Sequence, residues 1–220
     1  MINLIATAEA AIILFAFRRI LLLTEKQKKL ILTVISAVLL GINVCRYTVQ
    51  SLDLGYIRIP VEFSAVSYFL VPIIILLRIS PLRVWAAYSG VLAGSGYFLW
   101  MAAFGNIVYA DYKTWSIVIS LICHGSLLLC GLLIMSEKRF TPATGWIITL
   151  GLIYVSFHAV FLRQRFAGGN GIFIYELLFA FRPIDFFGSG IIPFYYLALF
   201  GLVILSFNMF YKLNIKLAKK

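Results

Sequence analysis

The chain has 220 residues, 63% of them hydrophobic and 12% charged, a formal net charge of +11 and a mean hydropathy of +1.01. A water-soluble domain of this length cannot hide so much apolar surface, so lipid is the expected solvent and there is no room for a sizeable soluble domain. The basic balance would suit nucleic acid in a soluble protein. Here the positions of the charges point to orientation in a bilayer, so membrane lipids and no nucleic acid are the expected partners.

About 20 apolar residues cross a bilayer. Seven stretches reach or approach that length: 2–23, 29–50, 59–79, 84–105, 115–135, 143–163 and 190–212. They predict an all-α, polytopic membrane protein of about seven helices, one domain over residues 1–220, in the cell membrane. Glu9 interrupts the first stretch, and Arg18 and Arg19 follow it. That charge order is wrong for a cleaved signal peptide, so the first helix is expected to stay, with its N-terminus outside. Pro60 is expected to open the third helix, where a missing N–H costs nothing. Gly90 and Gly94 in the fourth let a neighbour approach closely, read as packing within the chain. The residues between 164 and 189, including Asn170, form the one long connection, on the membrane surface or re-entering it.

Alternating spans then divide the cations. One side receives Arg18, Arg19, Lys26, Lys28, Lys29, Arg78, Arg83, Lys138, Arg139, Lys212, Lys216, Lys219 and Lys220. The other receives Arg46, Arg58, Lys113, Arg163, Arg165 and Arg182. The richer side is assigned to the interior, giving N-out, C-in.

Polar residues within the spans collect in the outer half under this topology. His124 interrupts the run WSIVISLICHGSLLLCGLLIM and shares a four-residue stripe with Ser116 and Ser120. Asn43, Arg46, Tyr47 and Gln50 share a stripe of the second helix; Ser64, Ser67 and Tyr68 share one of the third. Tyr154 and His158 are one turn apart on the sixth. A wet cavity opening outward or sideways into the outer leaflet would explain this gathering. Arg46 either pairs with Glu62 or Glu9, or meets an anion. Glu62 and Ser64, two apart, cannot both face one cavity unless the start of their helix is distorted. The cysteines (Cys45, Cys123, Cys130) read as buried small hydrophobes, and no HExxH or similar cluster occurs, so neither a metal nor a cofactor is expected.

The segment IPVEFSAVSYFLVP resembles the start of a membrane helix in the YwaF-like bacterial integral membrane proteins, relatives of eukaryotic transmembrane protein 164. The order Pro60, Val61, Glu62, Phe63, Ser64 follows that family's motif, as do His124-Gly125, Asn170 after a glycine-rich loop, and Gly188, Pro193 and Tyr195 near the C-terminus. The resemblance implies a six- or seven-helix fold with a membrane-embedded site. Its eukaryotic relative is an acyltransferase using Cys and His; the more distant androgen-induced fatty-acid ester hydrolases use Thr and His. This chain departs by placing Ser64 where the cysteine is expected.

Two functions follow. In the first, a lipid acyltransferase or lipid-ester hydrolase, Ser64 attacks an ester carbonyl, His124 carries its proton, and Arg46, Glu62, His158 and Asn170 contact the substrate. In the second, a carrier or subunit of a homo- or hetero-oligomer binds a lipidic or anionic ligand without turning it over.

Overall fold

The computed structural model describes residues 2–55, 57, 59–60, 62–108, 112–166 and 192–218. Among these the chain is all-α. Seven helices, α1 (Ile2–Leu21), α2 (Glu25–Leu54), α3 (Phe63–Leu76), α4 (Arg83–Val108), α5 (Thr114–Glu137), α6 (Gly145–Phe166) and α7 (Ile192–Leu217), are joined in two places by single 3-10 turns, Ser80–Leu82 and Pro142–Thr144. Each helix falls on one of the seven apolar stretches. Asn170 and most of the connection expected over 164–189 lie outside the described residues.

Local chemistry moves the boundaries. α2 starts at Glu25 because Thr24 and Gln27 cap it reciprocally. Gln27 N–H donates to Thr24 Oγ1 at 3.4 Å, and Thr24 N–H donates to Gln27 Oε1 at 3.0 Å. It ends at Gly55, whose φ of 71° suits a residue without Cβ. Pro60 does not open α3. Its carbonyl instead accepts from His158 Nε2 at 2.9 Å, and the first helical bond runs from Val66 N–H to the Glu62 carbonyl at 2.9 Å. Glu62 is therefore the extended N-cap, with no side-chain cap bond, and not a residue of the first turn.

The other end of α3 closes in a Schellman arrangement. Arg78 N–H donates to the Ile75 carbonyl at 3.1 Å and Ile79 N–H to that of Ile74 at 3.0 Å. Arg78 holds the left-handed position with φ 55°, a conformation that costs an L side chain about 1 kcal/mol and that glycine usually occupies. α3 has 14 residues, or about 21 Å, against about 30 Å of hydrocarbon. Two helices, α2 and α5, are long and apolar enough to cross a membrane by length and composition.

The bundle is organised around α5. α4 lies antiparallel to it at backbone contact. A Cβ on Gly90 would stand 2.7 Å from the Leu127 carbonyl oxygen, one on Gly94 2.8 Å from that of His124, and one on Gly131 2.7 Å from the Val91 nitrogen. The glycine pair read from the fourth span thus packs within the chain. α2 also runs antiparallel to α5, and two contacts seven residues apart on both helices fix the register. These join Ser36 Oγ to Cys130 Sγ at 3.8 Å and Asn43 Nδ2 to Cys123 Sγ at 3.4 Å.

The ends are tied by asparagines. At one end Ile2 N–H donates to Asn106 Oδ1 at 2.8 Å and Asn106 N–H to Asn3 Oδ1 at 2.7 Å, clamping the start of α1 to the end of α4. At the other end, Asn214 of α7 is fully buried against the end of α5. Its Nδ2 donates to the Met135 and Lys138 carbonyls, each at 2.9 Å, and its Oδ1 accepts Phe140 N–H at 2.7 Å. Arg83 and Glu137 form an ion pair joining α4 to α5 at that end. The perimeter is as apolar as the interior, and a few polar side chains are buried within it. Ser36, Asn43, Ser89 and His124 are interior, while Leu4, Phe15, Val38, Leu99, Phe157 and Leu202 are exposed on the perimeter.

Two stability outcomes are expected. Gly131→Ala should cost about 1–3 kcal/mol by overpacking. Gly96→Ala, at a position with nothing within 4 Å, should gain up to about 1 kcal/mol. Thermal unfolding of the purified variants gives the signs directly. Asn214→Ala should lose about 2 kcal/mol by leaving an N–H and two carbonyls unpaired. Asn208→Ala, at an exposed position of the same helix, serves as the control and should change little.

Candidate functional site

The site is built from α2, α3, α4 and α5 around the His124 ring, which is 5% exposed. Its first anchor is its own helix: Nδ1 lies 2.8 Å from the Ser120 carbonyl oxygen, one turn back. α3 supplies the second. The Tyr68 hydroxyl lies 2.7 Å from Nδ1 and 3.0 Å from Nε2, at the edge of the ring between them. α4 supplies the third, because the Tyr97 ring stacks on the imidazole with centroids 3.6 Å apart and planes 5° from parallel. The backbone contact at Gly94 makes that stack possible by drawing α4 onto the His124 carbonyl. One protonation satisfies both polar partners: a neutral ring whose Nδ1–H donates to Ser120 and whose Nε2 accepts the Tyr68 hydroxyl proton.

Sequence reasoning placed Ser120 on the His124 stripe, and Ser120 does orient the ring, through its carbonyl and not its hydroxyl. Tyr68 was on the stripe with Ser64 and is the residue that reaches His124. Tyr97 was missed. Its distance from Gly94 on α4 is three residues, so the glycine that admits α5 and the ring that covers His124 share a face.

Asn43 and Arg46, one turn apart on α2, extend the cluster. Asn43 is fully buried. Its Nδ2 donates to the Leu39 carbonyl at 2.9 Å and to Cys123 Sγ, which leaves its Oδ1 without a donor. Arg46 is half-buried and close enough to act electrostatically on Tyr68, Cys123 and His124. The pairings expected for it, with Glu62 or Glu9, do not form. Among the described residues the ion pairs are Lys28–Glu25 and Arg83–Glu137. α5 separates Arg46 from Glu9, since Cys123 faces α2 while Gly125 faces α1, with Glu9 Oε1 3.4 Å from where a Gly125 Cβ would lie. Glu62 is exposed at the mouth of α3.

Ser64 is half-buried on the face of α3 that carries Tyr68, one turn nearer its start. Ser36, Ser51, Ser67 and Ser95 each donate to the carbonyl four residues back. Ser64 makes no such bond. The carbonyl four residues before it, that of Pro60, accepts His158, and His158 also lies against the Tyr154 ring at 5.7 Å. The structure thus brings together Ser120, Tyr68, Tyr97, Asn43, Cys123 and Arg46 around His124, and His158 with the start of α3. The two polar partners of His124 are Tyr68 and Ser120, not Ser64. Among the described residues no group of three or more His, Cys, Asp or Glu is arranged to hold a metal ion.

Tyr68→Phe should leave Nε2 without its donor while keeping the ring-edge contact. A loss of about 1 kcal/mol is expected, together with a shift of the imidazole nitrogen resonances in the histidine-labelled protein. Unchanged resonances would show that the hydroxyl does not set the tautomer.

The chain matches no protein-family model, and no curated protein or solved structure matches it.

Proposed function

We propose that the chain is a multi-pass integral membrane protein, N-terminus outside and C-terminus inside, that holds a membrane amphiphile with an anionic head at Arg46, in the outer half of the bundle. The apolar perimeter of the helices supports the membrane reading. Large aliphatic and aromatic side chains cover the perimeter, and hydrogen-bonding side chains are turned inward, as a lipid solvent requires. The clustering of cations at one end of the bundle supports the orientation.

One observation carries the ligand. Arg46 is a half-buried guanidinium with no hydrogen bond or ion pair among the described residues, set beside side chains that are neutral as bonded. A guanidinium in such surroundings is satisfied by a planar, charged acceptor, and carboxylate and phosphate both fit its fork. His124, with both nitrogens engaged and one face covered, acts as a fixed wall of the site and positions Tyr68. The resemblance to the YwaF-like proteins supports a site at the same place.

A second reading, acyl transfer or ester hydrolysis by Ser64 with His124 as base, is favoured by the Ser64 hydroxyl on the Tyr68 face, which has no hydrogen bond among the described residues. It requires the Tyr68 hydroxyl to leave Nε2 so that the serine or a substrate can take its place.

The protein purified in mild detergent should carry anionic lipid detectable by native mass spectrometry. Arg46→Gln should weaken that binding roughly thirty-fold, as loss of about 2 kcal/mol implies, without lowering the unfolding midpoint. Equal lipid occupancy in the variant sinks the Arg46 assignment. Covalent labelling of Ser64 by a serine-directed phosphonate, lost in His124→Ala, would move the assignment to the hydrolytic reading.

A further inference from the structure

The end of the bundle opposite the His124 site carries most of the chain's positive charge. α1 ends there with Arg18 and Arg19, α2 begins there with Lys26, Lys28 and Lys29, and α3 ends there with Arg78. The ends of α5 and α7 join them through Lys138, Arg139, Lys212 and Lys216. Among the described residues two carboxylates lie at this end, and both are paired. Glu25 pairs with Lys28 at 3.2 Å, and Glu137 pairs with Arg83. The remaining cations are exposed and have no ion pair among the described residues; Arg19 lies over the Phe15 ring, 5.0 Å from its centroid.

Two further features say what faces them. Leucines are interleaved with the charges. Leu22 is 79% exposed in the α1–α2 connection, and Leu77, beside Arg78, is 69% exposed. An acidic protein or a polynucleotide would meet these side chains with charged or polar groups. A bilayer interface takes leucine into the acyl boundary and lysine or arginine at the headgroups. The second feature is Arg78 itself, which keeps a left-handed backbone at a C′ position where glycine would relieve the strain. Arg78 places a charge at a position where glycine would leave none.

We propose that this end of the bundle is a docking surface for the headgroups of anionic phospholipids, seated on Arg78 and the Arg18–Lys29 turn, with Leu22 and Leu77 dipping into the same leaflet. The surface rests on the membrane reading above and is independent of the Arg46 site. It makes the protein a reader of the charge of the leaflet its C-terminal end faces. Binding there is electrostatic and close-range, so it weakens as salt shortens the Debye length.

The test uses the full chain in nanodiscs of phosphatidylcholine alone and of phosphatidylcholine doped with phosphatidylglycerol, read by thermal unfolding. Wild type should unfold at higher temperature in the doped discs, and high salt should abolish the gain. Arg78→Gly should unfold later than wild type in neutral discs, where only the relieved backbone counts, yet gain less from phosphatidylglycerol. Arg18→Gln/Arg19→Gln should gain less without the first effect, and Arg46→Gln should keep the salt-sensitive part of the gain, which the exposed cations supply.

A gain of equal size in the Arg78 and Arg18/Arg19 variants overturns the proposal, as does no gain in wild-type protein that is inserted. Equal stabilisation by inorganic phosphate, or by polyglutamate added to neutral discs, overturns it in favour of a free anion or an acidic partner. Flotation separates the readings: a chain that does not float with vesicles refutes the membrane assignment itself.

Discussion

The contact between the backbones of α4 and α5 is the constraint on which the rest of the molecule depends. Gly90, Gly94 and Gly131 remove the side chains that would otherwise hold the helices about 8–10 Å apart, and a Cβ on any of them would meet main-chain atoms of the other helix. In a lipid solvent, as proposed above, such closeness would itself be the attraction, because tails solvate apolar side chains as well as a neighbouring helix does. The contact also fixes rotation about the helix axes. Once Gly94 rests on the His124 carbonyl, Tyr97 has one place to go, over the imidazole face. α2 and α3 then close the remaining sides, bringing Asn43 to Cys123 and Tyr68 to the ring edge.

Around this contact the interior is hydrogen-bonded but sparing with charge. Most buried serines return their hydroxyls to their own helix, a local solution needing no partner. The two exceptions at the level of His124 are Arg46 and Glu9, on opposite sides of α5, each without a counter-charge among the described residues. An interior that could have neutralised both by placing them together keeps them apart instead. That separation leaves Arg46 able to meet something other than this chain.

Much of this was legible from residue order, and what was not has a physical reason. Runs of apolar residues mark all seven helices, because each run ends where charged, glycine or proline residues interrupt it. The small-residue pair Gly90 and Gly94 announced a close neighbour, and the repeat of Ser116, Ser120 and His124 announced the face that turns inward. Partners across helices were beyond reach: Tyr97, Cys123 and Asn43 converge on His124 through rotations that no periodicity encodes. Ser64 and Tyr68 share a face, so sequence spacing alone could not say which of them faces the histidine. The Thr24–Gln27 cap moves the start of α2 by one turn, because hydropathy marks the apolar part of a helix and not its polar first turn. The left-handed Arg78 was not readable, since nothing in an arginine signals a C′ position.

The asparagine bridge at the end of α5 gives the order of synthesis a structural meaning. The Met135 and Lys138 carbonyls and the Phe140 amide are satisfied by Asn214, a side chain made roughly eighty residues later. Until α7 joins the bundle, the turn into α6 carries three backbone groups that lack their partner side chain. The helices that surround His124 can assemble early, but the end of α5 closes only once α7 is made. A nascent chain stalled before that point would present an unfinished helix end to whatever surveys the cell for incomplete proteins.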